Sequence, residues 1–211
     1  KIVVISGKGR AFCAGGDLKG MREDGYNPSL IRKNMELSSG NVMRLRNMSK
    51  LVISAIHGYC AGAGFSLALA SDLIVAEQNT RIILSFKNVG LIPDLGIHYY
   101  LPKIVGEWKA KEWIWKGMNI TVEEAVEHGF PFEIVSEGKG LERAMEIATE
   151  LNEGPFEAFV YSKSLINQSS TLKIEDVILR ENEIHTLLRS TKDHKEGLQA
   201  FFEKRSPQFN K

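Results

Sequence analysis

Ser54–Ala76 reads SAIHGYCAGAGFSLALASDLIVA, and its interpretation decides the fold. The stretch follows on from an apolar run, Leu51, Val52, Ile53, Ala55 and Ile56, and breaks into Gly58-Tyr59-Cys60-Ala61-Gly62-Ala63-Gly64. It resumes as the small-residue segment Phe65 to Ala70. An apolar run, glycine punctuation and a small-residue continuation predict a strand, a tight turn and a buried helix. A backbone free of large side chains at a helix start can set its own N–H groups against a ligand, where the helix dipole favours negative charge. Anion binding is one reading of the bend. Close packing of a helix on a sheet is the other, and one Gly-x-Gly stretch does not separate them.

A second stretch repeats the design. Lys1-Ile2-Val3-Val4-Ile5-Ser6-Gly7 is a buried-type β run, followed by Gly9-Arg10-Ala11-Phe12-Cys13-Ala14-Gly15-Gly16-Asp17-Leu18-Lys19, again a small-residue bend ahead of a helix. Two such bends facing each other would supply two N–H donors to one carbonyl oxygen, the geometry that stabilises an enolate or a tetrahedral oxyanion.

Together these segments resemble the crotonase, or enoyl-CoA hydratase/isomerase, family. The matching pieces are AFCAGGDLK at 11–19, AIHGYCAGAGFSLALASDLIVA at 55–76 and VGLIPDLGIHYYLPKIVG at 89–106. Ile120-Thr121-Val122-Glu123-Glu124-Ala125, His128-Gly129 and EGLQAFFEKR at 196–205 continue the likeness over nearly the whole chain. The resemblance implies an α/β fold of crotonase type. Residues 1–140 would form a spiral of ββα turns with stacked parallel strands and the acyl-CoA site, and 141–211 a helical region through which such proteins form homotrimers or homohexamers. Family members usually carry a further segment ahead of the strand that begins here at Lys1, which adds to the sheet and to the coenzyme A pocket. An apolar sheet edge would be exposed without it, so 1–211 is not expected to be the whole folding unit.

Composition narrows the partners. With 211 residues, 43% of them hydrophobic, the chain is able to bury one core. A formal net charge of +1 gives no reason to expect nucleic acid or an anionic membrane, and no lysine-rich helix supports an RNA-binding role. Two cysteines, Cys13 and Cys60, make neither a disulfide framework nor a metal site, so no metal is expected. They read as small buried filler, with thiol chemistry the alternative. No apolar run reaches the length of a membrane span and no signal peptide is visible, so a cytoplasmic setting is the default.

Along the chain, 20–27 reads as a loop, Pro28 to Met48 as a helix, and Leu51–Ile56, Asp72–Ala76 and Arg81–Ser85 as strands. Gly90 to Gly96, with Pro93-Asp94, is turn chemistry. Helices are expected over Ile97–Lys103, Gly106–Lys116, Leu141–Leu151, Glu175–Ser190 and Lys195–Lys204. Trp108, Trp113 and Trp115 read as a cluster packed on a neighbouring element. Thr121 reads as a helix N-cap with Glu124 completing a capping box.

Carried over by motif, the resemblance assigns the two thioester-binding N–H groups to Gly16 and Ala63, and the segment along the adenine and phosphates of coenzyme A to Ala14, Asp17, Leu18 and Lys19. Coenzyme A enters as part of the substrate, and no separate cofactor is implied. Family hydratases use two glutamates, whose positions are Ser66 and Phe86 here, so water addition lacks its base and acid. Asp94 falls where family isomerases of the Pro-Asp type carry their single carboxylate. A free aspartate titrates near about 3.9, so an apolar wall such as Leu91, Ile92, Leu95 and Phe86 is needed to make it a useful base. Its bland reading is a turn residue capping local N–H groups. His57 reads as a packed histidine rather than a base, and His98, Tyr99 and Tyr100 as lining of the acyl pocket. The expected activity is double-bond migration in an enoyl-CoA. A hydratase-like lyase and a catalytically silent acyl-CoA binder are the alternatives.

Overall fold

A computed structural model describes residues 1–23 and 26–211. It divides into two units, one made of Val4–Arg46 and Val52–Ala144, the other of Lys1–Val3, Asn47–Leu51 and Met145–Lys211.

The first unit is a spiral that feeds two sheets in alternation. Strand β1 (Ile2–Ser6) is followed by helices α1 (Leu18–Glu23) and α2 (Pro28–Asn47). Then come β2 (Leu51–Ile56), β3 (Tyr59–Ala61) and α3 (Ala63–Leu69). The next turn repeats the order with β4 (Leu73–Glu77), β5 (Arg81–Ile83), a 3-10 turn at Ser85–Val89, α4 (Ile97–Val105) and α5 (Glu107–Lys116). β6 (Asn119–Thr121), α6 (Val122–Glu127) and β7 (Glu133–Val135) close it. The four-stranded sheet runs β1-β2-β4-β7 and the three-stranded sheet β3-β5-β6. The β2–β3 and β4–β5 turns each give one strand to each sheet, while the first turn gives β1 to the larger sheet alone. Pairing is parallel in β2·β4, β4·β7 and β3·β5, as the strand and helix alternation predicts. The β5·β6 pair is antiparallel, a departure from the uniformly parallel expectation.

β2 is buried at every position, which explains why it reads as an unbroken apolar run rather than an alternating one. Its one polar residue inside the run, Ser54, hydrogen-bonds Ser71 at 2.7 Å. The core between the sheets and helices gathers Phe65, Ile82, Leu84, Ile97, Leu101, Trp113, Ile120 and Phe130. Trp113 stacks on Phe130 with ring centroids 6.0 Å apart. Trp108 and Trp115 differ from the expected cluster: they are 85% and 70% exposed against 1% for Trp113. The sequence spacing puts Trp113 alone on the buried stripe of α5, with its two neighbours on the opposite face.

The helix ends follow their caps. Thr121 accepts the Glu124 N–H at 3.0 Å and starts α6. Asp17 accepts the N–H groups of Lys19 and Gly20 at 3.0 and 3.1 Å, so α1 extends over 20–23 where a loop is expected. Asp24 and Gly25, in the same expected loop, lie outside the described residues. Glu77, buried, accepts the Gly140 N–H at 3.0 Å and fixes the start of α7 (Gly140–Glu153).

The second unit holds most of α7 with α8 (Phe156–Ser169), α9 (Ile174–Leu188) and α10 (Lys192–Glu203). α8 has no counterpart among the expected helices; Pro155, which has no N–H to donate, stands at its N-cap. Buried Lys163 donates to the Lys50 carbonyl at 2.8 Å. Among the described residues no helix is long and apolar enough to cross a membrane.

Candidate functional site

The two glycine-rich bends lie side by side. Cys13 and Cys60 form a parallel β-bridge, with the Cys13 N–H donating to the Tyr59 carbonyl at 3.1 Å and the Ala61 N–H to the Cys13 carbonyl at 2.9 Å. Past this bridge the backbones stay close. A Cβ on Gly15 would stand 3.1 Å from the Ala61 carbonyl oxygen, and Gly15 itself has φ +96°, which suits glycine alone. Gly62, at φ +49°, turns the second chain into α3, so Ala63 is the first residue of that helix and its N–H belongs to the unsatisfied first turn. Among the described residues no backbone carbonyl accepts from Ala63 or Gly16. The Cε methyl of Met21 lies where a Cβ on Gly16 would come within 2.6 Å of it.

Asp94 is joined to this region through α3. Ser66, one helical turn beyond Ala63 and wholly buried, donates its hydroxyl to the Asp94 carbonyl at 3.0 Å. The Ile97 N–H reaches the same oxygen at 3.3 Å. Between them the chain takes left-handed backbone at Leu95 (φ 52°) and Gly96 (φ 100°). For leucine that conformation costs roughly 1–2 kcal/mol, so the surrounding bonds hold Asp94 in a turn that its own sequence does not prefer. The Asp94 Oδ1 is shut off from solvent and has no hydrogen-bond partner among the described residues. Burial raises this carboxyl above its ordinary value of 3.8, with its own backbone N–H pulling the other way. A half-buried carboxylate of raised pKa with one oxygen shut off from solvent and unpartnered has the attributes of a general base.

The other carboxylate positions named above hold different chemistry. The Phe86 ring stands against the second bend, 3.5 Å from where a Cβ on Gly62 would be. It gives the site an apolar wall and no proton. Leu91 and Ile92, read as part of that wall, are exposed. The sequence alone does not say that the acceptor Ser66 finds is the Asp94 backbone. The available signal was a serine in an otherwise apolar buried helix, a residue that has to find an acceptor.

Ala14, Asp17, Leu18 and Lys19 are exposed around the start of α1. Asp17 spends its carboxylate on capping that helix, while Lys19 extends from the capped turn. His57 packs its ring nitrogen Nε2 3.1 Å from the Gly9 carbonyl, a structural contact on the first bend. Of the residues after Asp94, His98 and Tyr99 are exposed, and Tyr99 carries the Lys103 ammonium 3.5 Å from its ring centroid. Tyr100 lies over Gly96, where a Cβ would approach its ring to 2.9 Å, and its hydroxyl accepts from Arg46 at 3.2 Å. Among the described residues no group of three or more His, Cys, Asp or Glu side chains gathers around a point where a metal would sit.

Alternating ββα turns over two sheets, with paired glycine bends at one place in the spiral, define a protein of crotonase type. The chain belongs to the enoyl-CoA hydratase/isomerase family, whose sequence profile matches residues 1–211. It is 36% identical over 208 residues to YhaR of Bacillus subtilis, which is named as an enoyl-CoA hydratase/isomerase, over 99% of this chain and 81% of that protein. Identity to the 1,2-epoxyphenylacetyl-CoA isomerase of Escherichia coli is 32% over 211 residues, covering 99% of this chain and 80% of the relative. The crystal structure of an enoyl-CoA hydratase from a Polaromonas species superposes with a TM-score of 0.94 at 32% identity, over 99% of this chain and 82% of that one.

Proposed function

We propose that this enzyme binds an acyl-CoA thioester and shifts the double bond of an enoyl chain, with Asp94 carrying the proton. The observation behind this reading is the buried, unpartnered Oδ1 of Asp94 on a loop anchored to the helix that begins at Ala63. In the reaction, the Asp94 carboxylate takes a proton from the carbon next to the thioester of a 3-enoyl-CoA. The electrons move into the carbonyl, and the dienolate oxygen accepts from the Gly16 and Ala63 N–H groups. The carboxyl, whose proton exchanges with solvent while the dienolate is held, then gives a proton to the far carbon, leaving the 2-enoyl isomer. One carboxylate is enough, because nothing is added or lost. Each such N–H donor is worth on the order of a hundredfold in rate.

Ala14, Leu18 and Lys19 are the proposed contacts to the adenine and phosphates of coenzyme A, with the Lys19 ammonium facing a phosphate and Asp17 holding the turn that presents them. No cofactor beyond the substrate's own coenzyme A is invoked. Self-association through the helical region, as a trimer or hexamer, is supported by the exposed apolar Phe201 and Phe202 of α10, and light scattering tests it. A cytoplasmic setting belongs to the same reading.

A hydratase-like lyase would need a second carboxylate, and the two places for it hold Ser66 and Phe86. A silent acyl-CoA binder is the rival that these same two residues favour. Incubation of wild type and Asp94→Asn with 3-enoyl-CoA and 2-enoyl-CoA in deuterated water separates the two. Migration and deuterium uptake by wild type alone is the expected result. Thioester binding by both proteins with proton movement by neither makes the chain a binder.

A further inference from the structure

We infer that Ser66 is a positioning residue for Asp94: its hydroxyl fixes the backbone from which the carboxylate projects, and so sets the rate of proton transfer without touching the substrate. The inference rests on the proposed role of Asp94.

The Ser66 Oγ stands 3.0 Å from the Asp94 carbonyl oxygen and 3.4 Å from the Gly62 carbonyl one turn back in its own helix. A hydroxyl has a single proton, and the shorter contact takes it. A serine that served only its own helix would make the bond to the carbonyl four residues earlier; here that bond is the longer of the two. The side chain is fully buried, so no water replaces it when it is removed. Among the described residues the Asp94 carbonyl would then keep only the Ile97 N–H at 3.3 Å. Leu95 and Gly96, both left-handed, follow directly, and a leucine held there relaxes once the bond that opposes it is gone. The carboxylate moves with the backbone. Ser66 also lies three residues beyond Ala63 in α3, so a single short helix sets both the proposed dienolate donor and the loop of the proposed base. Their separation is then fixed by helix geometry rather than by loop closure, which is how an acid–base group is kept within proton-transfer range of a bound substrate.

The test compares Ser66→Ala, Ser66→Thr and Asp94→Asn with wild type on a 3-enoyl-CoA, reading kcat, KM and deuterium incorporation, with thermal melts of each. Ser66→Ala is expected to lose about tenfold or more in kcat with KM within about twofold, since substrate contacts are intact, and Ser66→Thr to recover most of the rate by restoring the hydroxyl. If Ser66→Ala keeps wild-type kcat while Asp94→Asn is inactive, the positioning role is overturned and the role of Asp94 stands. If Asp94→Asn retains wild-type kcat, the role of Asp94 falls and the positioning role with it. Should Ser66→Ala fail to fold, Ser66→Cys takes its place. It keeps the volume but offers only a weak S–H donor, and full activity in that variant counts against the inference.

Discussion

Gly64 lies directly against Cys13: a Cβ on Gly64 would stand 2.5 Å from the Cys13 Cβ and 3.0 Å from its Sγ. The start of α3 therefore touches the first bend with no room for a side chain, and the absence of one is what lets the two bends approach. Gly64→Ala is expected to cost about 1–3 kcal/mol in stability as the helix is pushed off Cys13. Because the displaced element carries Ala63, the loss of kcat/KM should exceed what partial unfolding explains, by on the order of a hundredfold for a shift near 1 Å. Urea denaturation alongside initial rates checks both parts. A variant as stable and active as wild type would mean that the bends do not need this contact.

The fate of the three tryptophans separates packing from surface. Trp113, stacked on Phe130 and edge-on to His128 at 5.6 Å, fills the centre of the first unit. Trp113→Ala should cost about 3–5 kcal/mol. Trp108 and Trp115 should tolerate alanine within about 0.5 kcal/mol. In the native protein acrylamide should quench the fluorescence of these two and leave a blue-shifted component from Trp113. Quenching of all three would contradict the burial of Trp113.

Much of this was legible in the sequence because the informative residues are local. β2 falls on Leu51–Ile56 as read, since a strand buried on both faces leaves an uninterrupted apolar run. The bends are legible because glycines at positive φ are punctuation. β3, β6 and β7, three residues each, do not stand out in the sequence, since no two-residue period shows in so short a segment; β5 is as short but is legible because Ile82-Ile83-Leu84 makes an apolar run there. The antiparallel β5·β6 pair is likewise a matter of tertiary arrangement, invisible in either strand alone. At the site, the position of Asp94 came from motif resemblance, whereas its anchoring by Ser66 spans 28 positions and is fixed only by the fold. Asp17 shows the opposite case: the residue that the resemblance sets along coenzyme A also caps a helix, a role that its Asp-x-x spacing already allows.

The cysteines should differ sharply in reactivity. Cys60 is buried and its thiol is pushed far up, chiefly by that burial and further by Cys13 beside it. Cys13 is partly exposed. N-ethylmaleimide at neutral pH should label Cys13 slowly and Cys60 only after denaturation, as mass spectrometry of peptides can count. Rapid labelling of Cys60 in the native protein would mean that the bridge between the bends opens.

Asp94 should be a liability for stability where it is an asset for catalysis. Its carboxyl is raised above 3.8 in the folded protein, mainly by burial, and returns to that ordinary value on unfolding. The native state therefore binds this proton more tightly than the unfolded chain. The stability that this proton confers is fully present below 3.8 and is lost as pH rises through the higher folded value. Asparagine does not titrate, so Asp94→Asn should melt above wild type near neutral pH, with the difference shrinking as the solution is acidified. Activity runs the other way. As the proposed base, Asp94 works only when ionised, so the acid limb of kcat/KM should lie above 3.8, at the upper end of the pH window over which the melting difference develops. Melts of both proteins across the acid range, set beside the wild-type rate profile, give the two curves. For one carboxyl seen by two methods, the melting difference is expected to begin near 3.8 and to level off about where the rate reaches half its plateau. A melting difference that does not change with pH would show that burial is not what tunes Asp94, and the acid limb would then belong to another group.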